Sequence, residues 1–252
     1  VHGTATGDIT YNRYVNVEGA NEWDLIGSPV EGQSISDFVT ANSGVIATSG
    51  VYSAVGTYDN SDDSWENYGS GSAWESGDFE LGTGYQMATT AGATMAFTGS
   101  VATSDQTQAV QDYSGASGRI WNLVANPYPS YLNANENADD SNNFLTVNGT
   151  TTLHDTYVAI YGYDADGSGY TIYNNTTAAT YIAPGQAFMV AADNTSSGTS
   201  ISMTEAMQTT TGGDDFISGD IMENTEVQLR LYNDNSLVGK TNLFFAEGLS
   251  VG

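Results

Sequence analysis

The sequence contains no cysteine and only four cationic side chains, and each shortage excludes a class of function. Without cysteine there is no disulfide framework and no thiolate chemistry. The four cations, Arg13, Arg119, Arg230 and Lys240, stand against 30 carboxylates, which gives a formal net charge of −26. Nucleic acid binding needs clustered Lys and Arg, so no nucleic acid partner is expected. Anionic membrane surfaces are disfavoured for the same reason.

Long apolar runs are also missing. No stretch approaches the roughly 20 residues of a membrane-spanning helix, so membrane insertion is not expected. No signal peptide is recognisable and the chain begins at Val1 without Met, so we expect a piece of a longer polypeptide. Helix-favouring residues are scarce, whereas Gly, Ser, Thr, Asn and Tyr are abundant. This composition predicts many short strands joined by polar turns.

Residues 121–129 show how the chain is organised. The segment begins with alternating apolar residues, which predicts a strand, and ends in Asn-Pro-Tyr-Pro. Proline has no N–H to donate, so the chain must leave the sheet there. Residues 23–29 repeat this pattern of a strand followed by proline, and the corresponding Trp and Pro residues are 98 positions apart. This spacing indicates that the chain contains an internally duplicated module.

We therefore predict an all-β protein with two tandem antiparallel β-sandwich domains that resemble jelly rolls. The predicted domains are residues 1–112 and residues 113–252. The second also carries a C-terminal hairpin, because Val227, Leu229 and Leu231 alternate with polar residues ahead of a turn and a strand ending in Phe244-Phe245.

No arrangement of residues points to catalysis, and we expect no enzyme. Most carboxylates lie in turns rich in Asn, Ser and Gly, where Asp is favoured by hydrogen bonds to its own backbone. His154 is a lone loop histidine. The nucleophile elbow of hydrolases and the nucleotide-binding fingerprints are missing from the sequence.

Two acidic turns are candidate calcium sites. Their carboxylates are Asp59, Asp62 and Asp63 in the first turn and Asp164 and Asp166 in the second. Oxygen ligands at alternate positions suit Ca²⁺, but the full twelve-residue calcium loop is not met, because Asn175 stands where Glu is needed. A plain hairpin turn of Asp and Gly is the alternative. No cofactor is required, and calcium is a hypothesis.

Aromatic residues form the second candidate site. Sugars present apolar faces, and Trp and Tyr rings supply flat, rigid area with polar neighbours for the hydroxyls. The candidate glycan-binding residues are Trp65, Tyr68, Trp74, Tyr128, Tyr131 and Tyr170. Trp65 and Trp74 lie in a polar setting that favours exposure, whereas Trp23 and Trp121 lie in the apolar register of a strand and are predicted to pack inside. Core or cross-strand packing is the alternative for every ring.

Four motifs lie at residues 121–130, 184–190, 229–231 and 243–248. They are Trp-Asn-Leu-Val-Ala-Asn-Pro-Tyr-Pro-Ser, Pro-Gly-Gln-Ala-Phe-Met-Val, Leu-Arg-Leu and a strand with Phe-Phe. Together they resemble a region of large secreted and surface proteins of Bacteroidetes, and the first half, with residues 23–29 and 82–87, looks like the usual partner of this region. In those proteins the region lies just upstream of a type IX secretion sorting domain. The resemblance implies an extracellular or cell-surface location, and the acidity looks like that of a marine member.

The resemblance also implies two functions. The first is a non-catalytic, adhesive or structural part of a larger protein secreted by the type IX system. The alternative is a carbohydrate-binding module appended to an extracellular polysaccharide-degrading enzyme. The expected partner is accordingly a polysaccharide or a surface protein, together with the rest of a larger polypeptide.

Overall fold

The structure is a computed structural model that describes residues 4–19, 23–69, 77–113, 119–164, 169–193, 200–212, 225–233 and 236–245. Strands take up 46% of the residues and helices 10%, which confirms the predicted all-β class. Within these ranges no helix is long and apolar enough to cross a membrane. The chain divides into two compact units, residues 1–217 and 218–252.

In the first half of the larger unit, the described residues form seven strands and one helix. They are β1 (Asp8–Val15), β2 (Asp24–Ile26), α1 (Ile35–Ala41), β3 (Thr48–Ser49), β4 (Tyr52–Asp59), β5 (Ser64–Gly69), β6 (Tyr85–Met87) and β7 (Ala93–Ser100). One sheet has the order β2-β6-β4-β5, with β3 also on β4, and a separate ladder joins β1 to β7. Helix α1 begins where the Ser34 hydroxyl accepts a hydrogen bond from the Asp37 N–H at 3.1 Å.

The second half repeats this plan. Its elements are β8 (Gln106–Ala109), β9 (Trp121–Ala125), β10 (Tyr131–Asn133), α2 (Phe144–Thr152), β11 (Ile160–Asp164), β12 (Gly169–Tyr173), β13 (Tyr181–Ile182), β14 (Ala187–Ala191), β15 (Ser200–Met203), a 3₁₀ turn (Glu205–Met207) and β16 (Gln208–Thr209). Its main sheet has the order β9-β14-β11-β12, and β8 pairs with β15. A small sheet, β13-β10-β16, is additional.

The strand order β2-β6-β4-β5 therefore corresponds position by position to β9-β14-β11-β12. The ladder β1-β7 likewise corresponds to β8-β15. This correspondence supports the duplication that the 98-residue spacing predicts. The boundary predicted at residue 112 stays a prediction, although Ala102, Val110 and β8 pack with the second half.

Each half has its own apolar core. The first core contains Phe38, Met87 and Phe97, and the second contains Phe144, Leu145 and Phe188. A third cluster lies between the two main sheets, where Leu25 and Tyr58 pack with Leu123, Ala125, Ala187, Met189, Trp121 and Tyr161. Successive residues of a strand point to opposite faces, so β14 buries Phe188 and Val190 in one cluster and Ala187 and Met189 in the other. The two main sheets thus hold the halves together.

The smaller unit contains the C-terminal hairpin. Its strands are β17 (Thr225–Asn233) and β18 (Ser236–Phe245), and they pair antiparallel with Val227 opposite Leu243. The predicted hairpin is confirmed.

Candidate functional site

Two hairpins place aromatic pairs at equivalent positions of the two halves. In the first half Tyr58 on β4 lies opposite Trp65 on β5, with ring centroids 5.1 Å apart. In the second half Tyr163 on β11 lies opposite Tyr170 on β12, with ring centroids 5.2 Å apart. The adjoining pair closes the turn in both hairpins, Asp59 with Ser64 and Asp164 with Gly169. The duplication therefore extends to these aromatic pairs.

The two hairpins, strand β6 and residues 23–25 at the start of β2 line one cleft, which we call the aromatic cleft. Its lining residues are Trp23, Leu25, Trp65 and Gln86 from the first half and Tyr163 and Tyr170 from the second. Its volume is about 290 Å³. Both halves supply aromatic rings, so neither half forms the cleft alone.

The rings of the aromatic cleft are held in place yet reach solvent. Trp65 is 38% exposed and Tyr170 49% exposed, whereas Trp23 and Tyr163 are half-buried. Each exposed ring packs on the ring opposite it in the sheet, so little rotational freedom remains to be lost when a ligand binds. Flat rings held in this way offer an apolar surface that water covers when no ligand is present.

An amide pair forms the polar floor beside these rings. The Gln86 side-chain N–H donates to the Asn67 Oδ1 at 2.9 Å. Both side chains cross over Gly56, which lies between them in the sheet register. A Cβ at position 56 would meet Asn67 Oδ1 and would lie 2.7 Å from Gln86 Nε2. Glycine is therefore required there for the two amides to meet.

The first acidic turn, residues 59–64, lies beside the cleft. The Ser61 N–H donates to Asp59 at 2.8 Å, and hydrogen bonds from the Ser61 side chain and then from its N–H lower the pKa of Asp59. Asp63 accepts from the Tyr58 hydroxyl at 2.7 Å, and burial together with the Asp63 carboxylate raises the pKa of Tyr58. Burial, with smaller effects from the nearby Tyr163 and Asp63 groups, also raises the pKa of Tyr170. The hydroxyls of Tyr58 and Tyr170 thus remain neutral donors and acceptors.

The second half anchors this turn. The Asn60 side-chain N–H donates to the Gln111 carbonyl at 2.8 Å, and the Arg119 guanidinium donates to the Ser61 carbonyl. These bonds hold the tip of the β4–β5 hairpin against the second half. The position of Trp65 relative to Tyr170 is therefore fixed by contacts on both sides of the cleft.

The predicted calcium carboxylates have local partners. Asp62 accepts from the Ser64 hydroxyl and Asp164 from the Thr171 hydroxyl, in addition to the bonds of Asp59 and Asp63. Asp166 lies outside the described residues. Among those that are described, no group of three or more His, Cys, Asp or Glu side chains is arranged to hold a metal ion.

The predicted glycan-binding residues fall into separate places. Trp65 and Tyr170 line the aromatic cleft, while Tyr68 packs against the first core. Tyr128 is fully buried in the second core, and its hydroxyl donates to the Met203 carbonyl at 2.7 Å and lies 2.9 Å from the Ser104 carbonyl. Tyr131 is half-buried on β10, which belongs to another sheet. Trp74 lies outside the described residues.

Sequence reasoning missed three residues of the cleft, Trp23, Leu25 and Gln86. Trp23 was assigned to the interior because its apolar register matched a strand, but its ring lies at the border between core and cleft. Gln86 carried no signal, since an amide in a short strand has no characteristic pattern. The sequence does offer Tyr163 as a candidate ring, because it flanks the second acidic turn together with Tyr170.

The family described as "Domain of unknown function (DUF8693)" matches residues 2–241, so the chain belongs to that family. Neither a search of the curated proteins nor a search of the solved structures found a match.

Proposed function

We propose that this DUF8693 domain is a non-catalytic carbohydrate-binding module whose binding site is the aromatic cleft. The observation that carries the proposal is the meeting of Trp65 with Tyr163 and Tyr170 across the two halves. Rings of this kind stack on the apolar faces of sugars, and hydroxyl and amide groups beside them bind sugar hydroxyls.

The dimensions and the polar groups of the cleft support this proposal. A volume of about 290 Å³ is close to the lower end of small-molecule sites, which span roughly 300–1,000 Å³. Gln86 supplies an amide and Tyr170 a neutral hydroxyl at the cleft wall. The site thus combines aromatic rings with a few orienting polar groups.

The charge of the chain restricts the ligand to neutral glycans. The formal net charge is −26, and Asp63 lies close enough to Tyr170 to affect its pKa. The negative electrostatic potential of these carboxylates would repel a uronate or sulfate group that enters the cleft. We propose that the module belongs to a secreted, cell-surface polypeptide, as the resemblance to type IX secretion substrates implies.

Affinity electrophoresis of the whole chain tests the proposal. Gels contain laminarin, xyloglucan or galactomannan as neutral polysaccharides and alginate or carrageenan as anionic ones. We expect retardation by at least one neutral polysaccharide, and loss of it in Trp65→Ala and in Tyr170→Ala. Tyr14→Ala is the matched control, because Tyr14 is also 49% exposed but lies on β1, outside the cleft.

Two results would count against the cleft. Retardation that is unchanged in both variants would place the glycan elsewhere on the chain. Migration that no polysaccharide alters would favour the adhesive or structural function, with a surface protein as the partner.

Calcium remains a separate hypothesis that the same gels test. Calcium at the first acidic turn would hold the β4–β5 hairpin and raise the melting temperature, since a ligand that binds only the folded state stabilises it. Retardation lost in EGTA would place the acidic turns in the site. Equal melting temperatures in calcium and in EGTA would remove the hypothesis.

A further inference from the structure

We infer that the aromatic cleft is one end of a longer groove that binds several consecutive units of a neutral polysaccharide chain. This inference rests on the proposed carbohydrate-binding function and names the form of its ligand. The groove continues from the cleft across Trp23 to Tyr52.

The observation behind this inference is a second hollow that shares Trp23 with the cleft. The side hollow has a volume of about 70 Å³, and its lining includes Trp23, Tyr52, Asn67 and Glu18. Tyr52 is 50% exposed. A ring that lines two neighbouring hollows can contact two successive sugar units, one on each side.

The amide pair connects the two hollows along the sheet surface. Gln86 lines the aromatic cleft and Asn67 lines the side hollow, and the hydrogen bond between them joins the two walls. Each amide keeps further donor and acceptor capacity beyond this bond. A sugar chain crossing from one hollow to the other would pass over hydrogen-bonding groups rather than over an apolar ridge.

The length of the groove follows from strand β4. Tyr58, which packs on Trp65 at the cleft end, and Tyr52, at the other end, are six residues apart on this strand. Strand β4 has a register shift between Tyr52 and Gly56, so the distance follows from the partners of Tyr58 and Tyr52 on β5, Trp65 and Gly69, which are four residues apart. At about 3.3 Å per residue, this separation is roughly 13 Å. A single sugar ring cannot span that distance, whereas a short oligosaccharide can.

Charge at the two ends selects for a neutral chain. Glu18 lies at the side hollow, and Asp63 lies beside the aromatic end. Carboxylates at both ends of the groove would repel uronic acid or sulfated units wherever along the groove they bound. A neutral chain meets no such penalty.

Calorimetric titration with β-1,3- and β-1,4-linked gluco-oligosaccharides and with manno-oligosaccharides, of roughly two to six units, tests the inference. We expect the wild-type affinity to rise with length for at least one series. Tyr52→Ala should lower the affinity for the longest oligosaccharide about 3- to 10-fold and leave that for the disaccharide unchanged, whereas Trp65→Ala should weaken both.

A second variant tests whether the side hollow binds sugar by blocking the hollow instead of removing its aromatic ring. Ser49 is an exposed residue at the side hollow, and Ser49→Trp would fill the hollow without removing a ring. It should reproduce the length-dependent loss of Tyr52→Ala. Thermal melting of each variant checks that it folds, and Tyr14→Ala again serves as the control.

The outcomes separate this inference from the proposed function. Equal affinity for all lengths, together with normal binding by Tyr52→Ala and Ser49→Trp, would overturn the extended groove and leave a single-unit site. Absence of binding to every oligosaccharide and every polysaccharide would overturn the proposed function as well. A length dependence abolished by both variants would establish the groove.

Discussion

The Tyr128 hydroxyl is buried between two backbone carbonyls, at 2.7 Å from Met203 O and 2.9 Å from Ser104 O. We expect Tyr128→Phe to lower the free energy of unfolding by about 1–2 kcal/mol, since a buried carbonyl loses its donor. Urea denaturation measures the change. Tyr131→Phe is the control, because Tyr131 is only half-buried and should change stability by less than about 0.5 kcal/mol. Equal losses of stability in the two variants would show that the buried hydrogen bonds of Tyr128 do not stabilise the fold.

Tyr85 predicts a loss of stability at alkaline pH. Burial raises the pKa of Tyr85 to about 12, above the value near 10 of an unfolded chain. Below a pH of about 10 the phenol is protonated in both the folded and the unfolded state, so the full contribution of Tyr85 to stability is present. Between about 10 and 12 only the unfolded chain loses the proton, so the free energy of unfolding falls by roughly 1.4 kcal/mol per pH unit.

Urea denaturation at several pH values between about 8 and 12 tests whether the free energy of unfolding falls as the pH rises. The Tyr85→Phe variant should start from a lower stability, because the Glu80 N–H loses its acceptor at 3.1 Å, but its stability should fall less steeply with pH. The remaining slope comes from the other tyrosines whose pKa values burial raises, which are Tyr58, Tyr128, Tyr161 and Tyr170. Parallel slopes in wild type and variant would show that Tyr85 does not contribute.

Single residues also mark the limit of what the sequence predicts. The polar setting of Trp65 indicated exposure, and its ring is indeed partly exposed. Tyr128, a candidate glycan-binding residue in the proline-rich turn, is instead fully buried. The buried Asn126 side chain makes this possible by donating to the carbonyls of Ser130, Ile182 and Ala183. Such a long-range partner for backbone carbonyls cannot be read from local sequence.

At the scale of secondary structure, the site is built on strand β4 and its neighbours. Gly56→Ala should displace the Gln86 and Asn67 amides, because the new Cβ would occupy the space where they meet. These are the ends of flexible side chains, so we expect a modest stability loss of about 1 kcal/mol but a clear loss of oligosaccharide affinity. Calorimetric titration and thermal melting measure the two effects.

Gly44→Ala is the matched control for this substitution. Nothing lies within 4 Å of a Cβ at position 44, so both stability and affinity should stay close to those of the wild type. A Gly56→Ala variant that binds oligosaccharides normally would show that the amide pair is not part of the groove.

The regular elements were predictable to the extent that their patterns are local. Alternation in residues 9–17 predicted β1, and alternation in residues 227–231 predicted β17. Helix α2 was missed, because its sequence FLTVNGTTT is rich in β-branched residues and contains a glycine, both unfavourable in helices. Its N-cap Asn143, whose side chain accepts from the Thr146 N–H at 2.8 Å, and the burial of Phe144 and Leu145 outweigh that preference.

At the scale of the larger unit, two of the four cations join the halves. Arg13 on β1 donates to the Pro184 carbonyl of the second half at 2.9 Å, and Arg119 donates to the Ser61 carbonyl of the first. The apolar cluster between the main sheets adds Leu25, Leu123 and Met189. Residues 1–217 should therefore unfold as one cooperative body, although the duplication makes them look like two domains.

Gly27 provides the test of this cooperativity, because its N–H donates to the Gly185 carbonyl of the second half at 2.8 Å. A Cβ at position 27 would meet the Ala125 Cβ of the second half and lie 2.7 Å from the Thr83 carbonyl. Neither atom is at the end of a flexible side chain, so Gly27→Ala should lower the free energy of unfolding by about 1–3 kcal/mol. Differential scanning calorimetry should show one main peak that moves to lower temperature as a whole.

The same variant should weaken oligosaccharide binding, although Gly27 does not line the cleft. The aromatic cleft takes Trp65 from one half and Tyr163 and Tyr170 from the other, so any change in their separation alters the site. Gly44→Ala, which adds a methyl group without a close neighbour, should change neither the peak nor the affinity. Two calorimetric peaks, of which Gly27→Ala shifts only one, would mean that the halves unfold as independent domains. The contact between the halves would then be too weak to fix the geometry of the cleft.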